Sequence, residues 1–395
     1  MQSVHKLSKI TALILLASAG VSANATAAET DAKTTLDLNL RYEAVDQDNT
    51  KKDASALTLR TRLNYTSASY NGFTGVVEFE DSRQIAGVDD YNDAVGNNGI
   101  YSVIADPETT ELDQAFVQYK QGKVIAKLGR QVLTLDNHRY VGHVGWRQDR
   151  QTFDAVTIGY QASDSLKGSY SYITKRNRIF GEVKDLDSKD HLLNLGYKTS
   201  YGQFTAYSYL LEEDDGTSNG LDTFGLSFKG KKDKFSYYAE FATQDSDSAA
   251  ADYSVTYMAL EGGYSFDKVT VKLGGEILGS DDGMYGFSTP LATLHKFNGW
   301  ADQFLGTPPE GLVDLYAVIS GKALGGGWTV AYHDYSADES TATVDDLGSE
   351  INAVYAKKFA KNYKAGIKYA AYSAGDADAG KVDTDKVWLW VSAKF

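Results

Sequence analysis

Residues 54–68 read ASALTLRTRLNYTSA, and they alternate. Leu57, Leu59, Leu63 and Tyr65 fall on one face, and Thr58, Arg60, Arg62 and Asn64 on the other. Period two is the signature of an extended strand, whose side chains point to opposite faces in turn. One face suits hydrocarbon and the other suits water. A soluble sandwich would bury the first face and solvate the second. A transmembrane barrel turns the first to lipid and the second to a wet lumen. Alternation by itself does not separate the two.

Loop rhythm does. Strand-like segments fall near 33–45, 54–68, 72–82, 111–120, 123–132, 152–162, 166–175, 187–199 and 203–212. They continue near 219–229, 233–243, 252–265, 268–278, 311–321, 327–336, 348–360, 363–373 and 385–395. That makes eighteen, an even number. Connections alternate between short (121–122, 200–202, 230–232, 324–326) and long (83–110, 133–151, 279–310, 374–384). Short turns on one rim and long loops on the other are the pattern of an outer-membrane barrel. The expected fold is all-β: a transmembrane antiparallel up-and-down β-barrel of about 18 strands. Its short turns and both termini would be periplasmic, and its long loops extracellular. Its last strand alternates Val387, Leu389, Val391, Ala393 and Phe395. A terminal aromatic on such a strand resembles the assembly signal of bacterial outer-membrane barrels, the handle for their insertion machinery.

The chain opens with Lys6 and Lys9, an apolar run over 10–21 and small residues around Ala25 and Ala27. That is a cleaved export signal over 1–27, too short in its apolar run to span a bilayer. Residues 28–395 then form one barrel domain. No later window could be a membrane helix, and mean hydropathy is -0.36. Cysteine is absent, so an exported chain must be held by another means, and a closed sheet suffices. The net charge of -14 argues against nucleic acid as a partner. All ten arginines lie within the first 178 residues, which assigns them a local task such as one wall of a pore.

Catalytic signatures are missing: no Gly-x-Ser-x-Gly, no His-Glu-x-x-His, no P-loop. No histidine array has metal-ligand spacing, so neither metal nor cofactor is expected. Acidic pairs and runs (Asp89-Asp90, Glu212 to Asp215, Asp281-Asp282, Asp345-Asp346) read as a solvated rim. The alternative for them is Ca²⁺, or the cations that bridge lipopolysaccharide.

Two segments are more specific. Between 129 and 154 run Gly-Arg-Gln and Trp-Arg-Gln-Asp followed by Thr-Phe-Asp, with Arg130, Arg139, Arg147 and Arg150 inside 21 residues. The second, 279–310, carries Phe287, Leu291, Leu294, Phe297, Trp300 and Phe304, too apolar for a free loop. It is expected to pack inward, with His295, Phe297, Trp300 and Asp302 in its His-Lys-Phe-Asn-Gly-Trp-Ala-Asp core. These stretches resemble the alginate export family of outer-membrane porins. The resemblance implies a monomeric eighteen-stranded barrel whose arginine-rich constriction passes an anionic polysaccharide. The short periplasmic turns depart from a dedicated alginate exporter.

Strand parity points Arg41, Arg60, Arg62, Glu78, Glu80, Lys127 and Lys272 into the lumen, joined by Arg130, Arg139, Arg147 and Arg150. Such charges either select solutes or only pair with one another and keep the lumen wet. The leading expectation is a passive channel for small or oligomeric anionic or sugar-like solutes, seated in outer-membrane lipid and lipopolysaccharide. The alternatives are an exporter of an acidic polysaccharide, and a barrel enzyme or adhesin with no open pore.

Overall fold

The computed structural model describes residues 31–96, 99–217, 219–248 and 251–395. The expected export signal, 1–27, lies outside them.

Eighteen strands form the wall. The first nine are β1 (Lys33–Gln47), β2 (Ala54–Thr66), β3 (Phe73–Asp90), β4 (Thr109–Gln121), β5 (Val124–Gln131), β6 (Thr152–Gln161), β7 (Leu166–Asn177), β8 (Leu186–Lys198) and β9 (Gln203–Glu212). The others are β10 (Gly220–Lys232), β11 (Phe235–Asp247), β12 (Asp252–Ser265), β13 (Val269–Leu278), β14 (Leu312–Ala323), β15 (Gly326–Ser336), β16 (Asp346–Phe359), β17 (Tyr363–Ser373) and β18 (Thr384–Lys394). Each pairs antiparallel with its sequence neighbours. β18 returns to β1, in register from Asp37↔Lys394 to Gln47↔Thr384, and closes the barrel. Phe395 adds two backbone bonds to Leu36. Closure leaves no free edge, so every wall amide finds a partner without water.

The rims alternate as expected, with one difference. β3 does not stop at 82 but runs to Asp90, and Ser55 and Ala56 of β2 pair Asp90 and Asp89 beyond a bulge. Residues 85–88 form that bulge and Asp89 and Asp90 rejoin β2 where it also pairs β1, so the polar stretch 83–90 reads as loop in sequence and is strand in space.

Outward positions carry Leu63, Phe79, Leu128, Leu260 and Leu273, each about half or more exposed. In water this belt would be intolerable; it is what a lipid-facing wall requires. Near the short turns the outward residues become aromatic: Tyr70, Phe73, Tyr160, Tyr197, Tyr201, Phe235, Phe266 and Phe395 are all exposed. They mark one membrane–water interface. Among the described residues no helix is long and apolar enough to cross a membrane.

Candidate functional site

Three long connections fold into the lumen rather than outward. Segment 279–311, between β13 and β14, buries Phe287, Leu291, Ala301 and Phe304 against wall residues Tyr257, Leu278, Leu312 and Tyr335. Segment 132–151, between β5 and β6, buries Tyr140 and Val141 in the same cluster. The third, described over 91–96 and 99–108, buries Tyr91 and Ile104 against Val45, Ala54 and Ala56. The inward turn of 279–310 was legible from its apolar residues. That of 91–108 was not singled out, although Ile100, Tyr101, Val103 and Ile104 were the available signal.

The infolded loops bring charges together. Arg41 pairs with Asp106 of the third loop. Arg147 reaches Glu43 at 3.0 Å and Asp302 at 3.1 Å, so it spans the wall and two loops. Arg62 pairs with Glu80, and Arg150 with Glu78 and, at 2.6 Å, with Asp113. Arg60 pairs with Asp37. Arg139, fully buried, holds Glu276 at 2.9 Å between the rings of Tyr257 and Phe297. The wall arginines project inward because Leu63 and Phe79 project outward on the same strands. These arginines therefore form a belt of neutralised pairs, not a free cationic patch. A buried guanidinium without a carboxylate would be strongly unfavourable.

A second cluster was not foreseen. Lys368 of β17 is buried, with its ammonium 4.1 Å from the ring of Trp146 and 3.9 Å from that of Trp300. It donates to His295 Nε2 at 2.6 Å, and His295 Nδ1 donates to Asp302 Oδ1 at 2.6 Å. Lys386 of β18 and Arg147 share Asp302 Oδ2. Burial pushes the His295 imidazole down to about 3, so it stays neutral and relays between ammonium and carboxylate. Cation–π contacts of this desolvated kind contribute about 2 kcal/mol. Glu350 of β16 completes the dock by accepting the backbone N–H groups of Trp300 and Ala301. Gly299, at φ 85°, lies so close to Glu350 that no side chain fits there. Glu43, Asp106, Asp113, Glu350, Lys368 and Lys386 are thus site residues that sequence reading missed. Their common signal was a charge at an inward position of an apolar strand, or, for Asp106, none.

Lys127 and Lys272 also face inward, Lys127 over Phe116 and Lys272 paired with Glu261 at 2.8 Å. Arg130 does not. It shares the face of Leu128, and its partner Asp154 shares that of Val156, both of which point to lipid. The expectation that Arg130 lines the pore is corrected: Gly129 and Gln131 take the inward positions, and Arg130 pairs with Asp154 at 2.8 Å on the outer surface. His295, Trp300 and Asp302 sit at the dock, and Phe297 covers Arg139. The acidic runs are spread over the long-loop rim. Among the described residues no group of three or more histidine, aspartate or glutamate side chains is arranged to hold a metal ion.

Below the dock, toward the short-turn rim, the lumen opens into a cavity of about 400 Å³ against β10–β15. Lys229, Lys272, Lys296, Tyr238, Tyr316 and Trp300 are on its wall.

The family model described as alginate export matches residues 31–272 of this chain. The chain belongs to the alginate export family. This member has the fold of outer-membrane barrels already solved. It resembles Acinetobacter baumannii OccAB4 at 14% identity and TM-score 0.73, covering 93% of this chain and 98% of that one. Pseudomonas aeruginosa OccK9 (OpdG) matches at 15% identity and TM-score 0.72, covering 92% and 98%. Pseudomonas aeruginosa OpdK, solved with vanillate, matches at 12% identity and TM-score 0.69, covering 92% and 98%. No curated protein sequence matches the chain. The likeness to these solved barrels agrees with the closed eighteen-stranded wall of this chain.

Proposed function

We propose that the chain is a passive outer-membrane channel for small or oligomeric anionic or sugar-like solutes, and that it works without catalysis or cofactor. The observation that carries this reading is a polar lumen narrowed by anchored loops yet still open below them. A wall whose outward face is apolar, and whose inward face is charged pairs and tyrosine hydroxyls, keeps water inside and lipid outside. In such a constriction fixed dipoles and charges, rather than bulk net charge, set which solute passes. Arg150, at 14% side-chain exposure, is the most accessible of the belt arginines, and Asp37, the partner of Arg60, is about a third exposed. The barrel is read as a monomer, with lipopolysaccharide against its long-loop rim and Phe395 engaging the assembly machinery.

Insertion of the purified mature protein into a planar bilayer is the test. Discrete conductance steps support the channel. A heat-modifiable barrel that never conducts would leave the adhesin or enzyme reading in its place.

A second reading, export of an acidic polysaccharide, is favoured by the family description. Every turn on the short rim spans only two to six residues, however, with no long periplasmic segment of the kind an exporter would use as a plug. Block of the current by long oligouronates added from the short-turn side, but not the other, would favour export.

A further inference from the structure

The short-turn rim is unevenly charged. Between β10 and β11 the chain reads Gly-Lys-Lys-Asp-Lys over 230–234. Between β16 and β17 it reads Lys-Lys-Phe-Ala-Lys-Asn-Tyr-Lys over 357–364. Lys268, Lys322 and Lys394 stand at other strand ends on that side. The arc from β10 to β18 thus sets ten exposed lysines against two aspartates, Asp233 and Asp267. The other four short turns carry Lys120, Lys123, Lys167 and Lys198 against Asp164.

Lys234 pairs with Asp267 at 3.3 Å, and both side chains are exposed. Among the described residues the other nine lysines of the arc have no ion pair. Neighbouring turns share the charge. The Lys357 stem crosses to Gly325 of the β14–β15 turn, where an added Cβ would meet its Nζ at 3.4 Å. Strand parity gives the direction. Phe359, Tyr363 and Phe395 are exposed on the lipid side, so their neighbours Lys358, Lys364 and Lys394 take the opposite face. Lys231, Lys268 and Lys322 are likewise out of step with the lipid-facing Leu226, Leu273 and Ile319. These six aim off the bilayer, toward the periplasm.

A folded partner normally finds an apolar centre in its interface. Here the aromatic residues beside the lysines face lipid, and Leu324 is an isolated exception at a turn tip. A flat field of separate cations suits an extended polyanion held by many weak contacts. We propose that this arc docks peptidoglycan, the carboxylate-bearing polymer that lies beneath an outer membrane. Carboxylates of its stem peptides meet the ammonium groups as exposed ion pairs. The arc takes in four of the eight short turns, so the polymer lies beside the mouth and leaves the passage clear. The docking is independent of the channel reading. A barrel that conducts without docking loses only the first, and one that docks without conducting loses only the second.

Co-sedimentation of the detergent-solubilised, heat-modifiable barrel with purified sacculi tests it. The barrel is expected to pellet with sacculi at low salt and to be released by about 1 M NaCl, where charges are screened over ~3 Å. Sacculi whose carboxyl groups have been converted to amides should not retain it. The combined variant K231Q, K232Q, K234Q, K357Q, K358Q and K361Q should lower the pelleted fraction by about fivefold or more. The same six positions changed to arginine should keep it, as should K120Q with K123Q and K198Q from the opposite arc. Heat-modifiability on a gel shows that each variant is folded, and the amidated sacculi decide the matter with the unmodified barrel if the glutamine variant is not. Pelleting that ignores salt or amidation, or an equal loss in the opposite-arc variant, would overturn the docking. So would capture by phosphatidylglycerol vesicles but not by sacculi, which would assign the arc to lipid headgroups instead.

Discussion

Arg147 and Asp302 meet at 3.1 Å although they come from different infolded segments, one entering the lumen after β5 and the other after β13. The contact fastens the two segments to each other as well as to the wall. Asp302 also receives Lys386 at 2.9 Å and His295 at 2.6 Å, so a single carboxylate holds three partners.

Replacing that carboxylate tests the anchor. Asp302→Asn leaves Arg147 and Lys386 buried with one partner fewer each. Losing one member of such a network costs about 3–5 kcal/mol. The expected outcome is a barrel that still resists heat in detergent but has a higher and noisier single-channel conductance. Unchanged current traces would mean the dock does not narrow the path.

Limited proteolysis addresses the same loop directly. Phe287, Leu291 and Phe304 are buried, so the chain between Phe287 and Phe304 resists cleavage in the folded barrel. In Gly299→Ala, whose new methyl would collide with Glu350 and Tyr335, the same stretch becomes protease-sensitive. Rapid cutting of the unmodified protein there would show that the loop is not docked.

Acid should loosen it. His295 is neutral in the docked state, pushed down to about 3 by burial, against about 6.5 when free. The undocked loop therefore binds the extra proton. Stability from this group is complete above about pH 6.5 and is lost progressively as pH falls toward 3. Asp302 acts with the same sign. Burial alone would raise it, but His295, Lys386 and Arg147 outweigh burial and hold the carboxyl well below its usual range. Protease sensitivity of the 279–311 segment should rise between pH 6.5 and 4, and His295→Gln should flatten the upper part of that curve. A pH-independent digestion rate would remove the imidazole from the argument.

Selectivity follows from the belt. Arg60→Ala with Arg62→Ala frees Asp37 and Glu80, so reversal potential in a salt gradient moves toward cation preference. Glu80→Gln frees Arg62 and moves it the other way. If both variants shift in one direction, the pairs do not control the ions that pass.

The wall was legible in the sequence because period two and loop length are local. Leu57 to Tyr65 assign a face to Arg60 and Arg62 with no knowledge of the neighbours, and the structure keeps that assignment. Arg130 went wrong where parity was not carried through: its motif suggested a pore residue, whereas Leu128, two positions earlier, already put it outside. The loop half of the dock was legible, but its pairings were not. Lys368 and His295 are 73 residues apart, and Arg147 and Asp302 are 155 apart. Only the barrel's closure brings such residues within reach. Sequence could say that 279–310 needs something to pack on, not that Trp146 and Lys368 would supply it.

All the infolded segments descend from the long-loop rim, while the lysine cavity opens toward the short turns. The two ends of the passage are therefore unlike. A solute from outside meets the anchored loops first and the wider lumen second, and one from the periplasm meets them in reverse order. With one reconstituted orientation, the current–voltage curve should bend, carrying a charged solute more readily under one polarity than the other. The lumen is then a rectifier, its handedness set by which rim has chain to spare.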